Sequence, residues 1–149
     1  AVVGKREWME LIEQSKVIHA GTMNSSNPTV AAALATIRIL EEENPYERMF
    51  ALGQKLMNGL KAAAAAANQN MLVQGPGPMF TIAFTDLPVI NDFRDTLTGD
   101  KAKLGKFIAG MHDRKVRVIG RGLWYISAVH TEAEIDHAIK VASEVLQTI

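Results

Sequence analysis

Residues 71–85 read MLVQGPGPMFTIAFT, and this stretch decides the class of fold. Phe80, Ile82 and Phe84 alternate with small or polar residues, which predicts a strand that buries one aromatic face. The Gly-Pro-Gly-Pro run at 75–78 predicts a stiff, non-helical connection before that strand. A sheet is therefore expected to begin near the middle of the chain.

Amphipathic helices are predicted upstream of this strand. Residues 6–13 indicate a short half-buried helix, and Asn27-Pro28 indicates the start of a second one, with Asn as the cap and Pro at the first helical position. Asn44-Pro45 repeats this signal, so the helical stretch is predicted to break at Pro45. Two apolar stripes follow these starts: Val30, Ala33, Leu34, Ile37 and Leu40 in the first, and Met49, Phe50, Gly53, Leu56, Met57, Leu60 and Ala63 or Ala64 in the second.

Helices and strands are also predicted downstream. Residues 101–114 have helical periodicity, and residues 116–119 and 123–129 indicate a β-hairpin around Gly120-Arg121-Gly122. Thr131 and Glu134 form a capping box that starts a long terminal helix. These elements predict an α+β fold, with helices packed on a small, mainly antiparallel sheet.

Composition excludes several classes of protein. The 149 residues carry sixteen basic and sixteen acidic side chains and no cysteine, which argues against nucleic-acid binding, disulfides and thiolate zinc sites and fits a cytoplasmic protein. No apolar run reaches the roughly 18–20 residues that cross a bilayer. The four histidines, at positions 19, 112, 130 and 137, lack the spacing of metal ligands, so no metal site is expected. No catalytic acid–base pair is expected either.

Two features are candidates for ligand binding. The loop at residues 19–28 combines Gly21, the Thr22 hydroxyl and a helix N-terminus, which suit a phosphate, although a simple capped loop has the same residues. Arg121 lies between two glycines in a predicted turn, where its guanidinium can grip a carboxylate or remain without a partner in solvent. The residues alone leave both alternatives open.

Four motifs in order resemble the class III pyridoxal-phosphate aminotransferases, especially their glutamate-semialdehyde aminomutase branch. Ala20-Gly21-Thr22, with Asn27-Pro28 and an Ala-rich helix, resembles the family's phosphate-contacting segment. Residues 77–81, residues 107–111 with Arg114, and residues 126–132 with Ile135-Asp136 resemble later family segments. The resemblance spans essentially the whole chain.

The resemblance implies the C-terminal part of a fold-type I enzyme dependent on pyridoxal 5'-phosphate. Residues 1–45 would be the end of the large cofactor domain, with the phosphate-contacting loop and the connecting helix, and residues 46–149 the small α+β domain. The family's Schiff-base lysine lies upstream of the position of Ala1, in a strand whose buried end resembles residues 1–4. The chain is therefore expected to be a fragment that has no catalytic residue and is inactive alone.

The same resemblance implies amino-group transfer between an amino acid or amine and a keto acid, in a homodimer. Gly21 and Thr22 match the pair that binds the cofactor phosphate of the neighbouring subunit. Two departures bear on this: four residues separate Thr22 from Asn27, where the family commonly has three, and residues 118–124 are shorter than in the aminomutases and carry Arg121. Arg121 is therefore expected to meet a substrate carboxylate in a transaminase. The alternatives are an aminomutase and a non-catalytic ligand-binding module.

Overall fold

The computed structural model describes residues 2–149, which divide into two compact units between Asn44 and Pro45. The first unit contains α1 (Arg6–Glu13) and α2 (Asn27–Glu43). Ser26 is the N-cap of α2 and Pro28 its second residue, so the prediction of Asn27 as the cap is wrong by one position. Asn44 also differs from its prediction, because it adopts a left-handed φ of 43° and ends α2 instead of capping the next helix. The break at Pro45 is confirmed.

Apolar side chains of the first unit remain at the surface. The stripe of α2 is present, but Val30, Leu34 and Ile37 are 46%, 60% and 52% exposed. No residue between 2 and 44 is buried. The predicted strand end at residues 1–4 falls partly on Ala1, outside the described residues, and it is wrong for residues 2–4, which are exposed and form no strand. A strand needs a hydrogen-bonded neighbour, and the described residues provide none at that point.

The second unit is an α+β structure. It contains α3 (Tyr46–Ala66), β1 (Met71–Gln74), β2 (Met79–Phe84), a 3-10 turn (Asp95–Leu97), α4 (Lys101–Asp113), β3 (Leu123–Tyr125) and α5 (Glu132–Leu146). The strands form an antiparallel sheet in the order β1-β2-β3, with Phe80 opposite Trp124 and Ile82 opposite Val73. Helix α3 packs on β1, α4 packs on β2, and α5 packs on both helices. The predicted fold class is confirmed.

The core lies between these helices and the sheet. Phe80, Ile82 and Phe84 are at most 4% exposed, as their alternation predicted. On α3 the buried stripe includes Leu52, which the sequence reasoning missed, whereas Phe50 is half exposed beside Gly77. The capping box at the start of α5 is confirmed, with both of its reciprocal hydrogen bonds.

The predicted β-hairpin at residues 116–129 is wrong. Residues 116–119 form no strand, and the backbone of Val118 instead faces His112. Nε2 of His112 lies 3.1 Å from the Val118 amide nitrogen and 2.8 Å from its carbonyl oxygen, and it bonds to one or the other according to its tautomer. Strand β3 covers only Leu123–Tyr125 and pairs with β2. The tight reversal itself is present, since the amide of Gly122 donates to the Ile119 carbonyl at 2.9 Å and Gly122 has a φ of +75°.

None of the helices within residues 2–149 combines the length and the apolar character that crossing a bilayer requires.

Candidate functional site

The loop before α2 consists of two successive turns. The amide of Asn24 donates to the Gly21 carbonyl at 2.9 Å, and the amide of Ser26 donates to the Met23 carbonyl at 3.3 Å. Ser25 supplies the left-handed backbone conformation, with a φ of 58°. Thr22 lies exposed in the first turn. The loop thus presents a hydroxyl and nearby backbone to solvent.

The first turn of α2 follows this loop directly. Its N-cap residue, Ser26, makes no side-chain hydrogen bond to the helix amides. The first amides of a helix have no partner within the helix, and the helix dipole adds partial positive charge there. This arrangement suits a phosphate group, which accepts hydrogen bonds from backbone amides and a hydroxyl.

Gly21 determines how closely the Asn24 side chain approaches the loop. A Cβ atom at Gly21 would lie 2.9 Å from Oδ1 and 3.1 Å from Cγ of Asn24, so any larger residue would displace that carboxamide. The absence of a side chain at Gly21 therefore keeps the first turn compact beside Thr22.

Arg121 lies in the second unit, at the turn before β3. Its side chain is exposed, and none of the ion pairs among residues 2–149 involves its guanidinium. The turn is fixed at its C-terminal end, where the Ile82 amide donates to the Gly122 carbonyl at 2.9 Å. An exposed guanidinium on a fixed turn can bind a carboxylate through two parallel hydrogen bonds. Gly21 and Thr22 belong to the first unit.

A cleft of about 310 Å³ in the second unit was not predicted; its lining residues are Arg48, Ala51, Leu52, Lys55, Thr131 and Glu132. Arg48 donates to the carbonyls of Ala128 and His130. The guanidinium of Arg48 therefore connects α3 to the segment before α5. The two partners are about 80 residues from Arg48 in sequence, and no local pattern links such distant positions.

The other cation of this cleft is also paired. Lys55 Nζ lies 2.7 Å from Asp136 and 2.8 Å from Glu132, and these hydrogen bonds, the one to Asp136 first, raise the pKa of Lys55. Nearby, the hydrogen bond from the Thr131 hydroxyl lowers the pKa of Glu134. Arg48 and Lys55 thus both bind groups of this chain. We therefore interpret the cleft as part of the structural contact between α3 and α5.

Known proteins similar to this chain are enzymes of one family. The chain is 34% identical over 149 residues to the glutamate-1-semialdehyde 2,1-aminomutase of Desulfitobacterium hafniense, a match that covers 98% of this chain and 34% of the relative. An omega-transaminase from Sphaerobacter thermophilus has the same fold, with a TM-score of 0.76 and 21% identity over 97% of this chain and 34% of that one. A transaminase with PLP bound has a TM-score of 0.77 and 21% identity over the same shares. No protein-family model matches the chain.

In sequence and in fold, the chain is similar to the C-terminal segment of class III pyridoxal-phosphate-dependent aminotransferases. Within that family, its sequence relatives are glutamate-semialdehyde aminomutases, and its structural neighbours are transaminases. The resemblance inferred from the four sequence motifs is confirmed. The chain spans about a third of the length of these relatives.

Proposed function

We propose that this chain acts as the C-terminal part of a pyridoxal-phosphate-dependent aminotransferase, which moves an amino group between an amino acid or amine and a keto acid. The observation that carries the proposal is 34% identity, across 98% of the chain, to an enzyme of this family. None of the nine lysines matches the family's Schiff-base lysine by pattern. In this proposal, the lysine and the ring-binding residues come from a longer polypeptide that includes this chain.

The first unit is proposed to hold the cofactor phosphate. Bound pyridoxal phosphate acts as an electron sink that stabilises negative charge at the substrate carbon. Thr22 would donate its hydroxyl to a phosphate oxygen, and the loop from Gly21 would bring backbone amides to the same group. By analogy with the family, this phosphate would belong to the cofactor of the neighbouring subunit in a homodimer. A cytoplasmic location, which the absence of cysteine favours, belongs to the same proposal.

Arg121 is proposed to bind the carboxylate of the amino-acid or keto-acid substrate. Its exposure and lack of an ion-pair partner among residues 2–149 support this role, since a guanidinium already held by the chain's own carboxylates would offer no docking point. Two parallel hydrogen bonds would also orient the substrate.

Substitution Thr22→Val in the complete enzyme is expected to weaken cofactor binding roughly 10- to 100-fold, because it removes one hydrogen bond to a charged group at almost constant side-chain volume. Titration of the apoenzyme with pyridoxal phosphate, followed by cofactor absorbance, measures this. Thr22→Ser retains the hydroxyl and should retain affinity. The matched control is Thr36→Val on α2, whose hydroxyl donates to the Ala32 carbonyl within the same helix. Unchanged affinity in Thr22→Val would contradict the phosphate role.

Substitution Arg121→Ala is expected to raise KM for amino-acid substrates roughly 10- to 100-fold, since it removes charge-assisted hydrogen bonds to the carboxylate. KM for 1-phenylethylamine, which has no carboxylate, should stay unchanged. Arg117→Ala removes an exposed arginine four residues away and serves as the control. Equal effects of Arg121→Ala on both substrates would argue against a carboxylate contact.

The second candidate is an aminomutase, which the names of the sequence relatives favour. Product analysis distinguishes the two activities. An aminotransferase passes nitrogen-15 from a labelled amino donor to a separate keto acid. An aminomutase retains the label in an isomer of its own substrate.

A further inference from the structure

His112 holds the backbone from which the Arg121 turn projects. Its Nε2 atom lies 3.1 Å from the amide nitrogen of Val118 and 2.8 Å from the carbonyl oxygen of the same residue. An unprotonated Nε2 accepts a hydrogen bond from the amide, and a protonated Nε2 donates one to the carbonyl. Either neutral tautomer therefore binds Val118.

The segment between α4 and β3 is fixed at three points. The Val116 amide donates to the Met111 carbonyl at 2.9 Å, His112 holds Val118, and the Ile82 amide holds the Gly122 carbonyl. The Val118 side chain is also buried, at 4% exposure. Residues 119–121 span the interval between the second and third points and are exposed. Arg121 thus lies in a short exposed segment whose two ends are fixed by hydrogen bonds.

Only one of these three polar contacts depends on a side chain. The other two join backbone atoms and survive any substitution that keeps the fold. We propose that His112 is a positioning residue for substrate binding, which fixes the turn beneath Arg121 so that the guanidinium is already placed for a carboxylate. This inference rests on the proposed role of Arg121. A held turn loses less conformational entropy when the substrate binds, and affinity rises accordingly.

Substitution His112→Ala in the complete, cofactor-loaded enzyme is expected to raise KM for its amino-acid substrate roughly three- to tenfold, as one end of the turn is released. L-glutamate, L-alanine and β-alanine are the probes, and the one that the wild-type enzyme turns over fastest is used. The value of kcat, and KM for 1-phenylethylamine, should change less than about twofold. His112→Gln should restore most of the affinity, because its amide also offers a donor and an acceptor.

Hydrogen exchange gives a readout that does not depend on catalysis. In His112→Ala the amides of Val118 and Gly122 should exchange faster, while the α5 amides keep wild-type rates. The matched control is Asp113→Ala, an exposed neighbour on the same helix end. It should leave both exchange and KM unchanged.

A double-mutant cycle separates the two proposals. If Arg121→Ala raises KM and His112→Ala adds nothing in that background, the two residues act through one contact, as inferred. If Arg121→Ala raises KM but His112→Ala alone does not, the positioning role is wrong and the proposed function stands. If Arg121→Ala leaves KM unchanged while His112→Ala speeds exchange of the turn, the proposed substrate contact is wrong, and the positioning role falls with it even though His112 holds the turn.

Discussion

Replacing Phe107 with alanine is expected to lower the free energy of unfolding by about 3–5 kcal/mol, because a fully buried aromatic side chain leaves a cavity that its neighbours cannot fill. Phe107 is 0% exposed, and its ring packs edge-to-face on Phe84, with centroids 6.0 Å apart. It lies where α4 packs on the sheet. Urea unfolding of the 149-residue chain, followed by far-ultraviolet circular dichroism, measures the change.

Phe93→Ala is the matched control for this substitution. The Phe93 side chain is 76% exposed, so removing it creates no cavity. Its effect should lie within about 0.5 kcal/mol of zero. The packing described for this core would be contradicted if Phe107→Ala lowered the free energy of unfolding by less than about 1 kcal/mol, with an unchanged slope of that free energy against urea concentration.

Replacing Gly53 with alanine should destabilise the chain by about 1–3 kcal/mol, although alanine is the better helix former. A Cβ atom at Gly53 would overlap the carbonyl group of Gly77 and lie 2.9 Å from the nitrogen of Pro78. These are backbone atoms of the proline-containing connection before β2, and they cannot swing away as a flexible side chain does. Helix α3 would have to separate from that connection.

A second helical glycine provides the opposite case. Gly105 lies within α4, and a Cβ atom there would meet nothing within 4 Å. Gly105→Ala should therefore stabilise the chain by about 0.5–1 kcal/mol through helix propensity alone. Both variants are compared by the same urea unfolding measurement. If Gly53→Ala stabilised the chain as Gly105→Ala is expected to do, the close approach of α3 to the connection would be excluded.

Local patterns predicted much of the second unit. The alternation of Phe80, Ile82 and Phe84 predicted both the strand and its buried face, and the capping box at Thr131 predicted where α5 begins. Such signals are readable because each depends on residues only two to four positions apart. The four ordered motifs were sufficient for the family resemblance. The first motif also singled out Gly21 and Thr22, whereas Arg121 was singled out by its place between two glycines and by a departure from the family pattern; these roles stay predictions.

Contacts between distant residues were decided only by the tertiary structure. Two β-prone runs on either side of Gly120-Arg121-Gly122 favoured a hairpin, but Leu123–Tyr125 pairs with β2, and the backbone of Val118 hydrogen-bonds to His112. The Arg48 contacts and the close approach at Gly53 likewise join segments far apart in the chain. Periodicity fixes which face of an element is apolar. Which element covers that face, and which strand pairs with which, depends on the packing of the whole unit. Every residue except proline carries the same backbone donor and acceptor, so local sequence does not specify their partner.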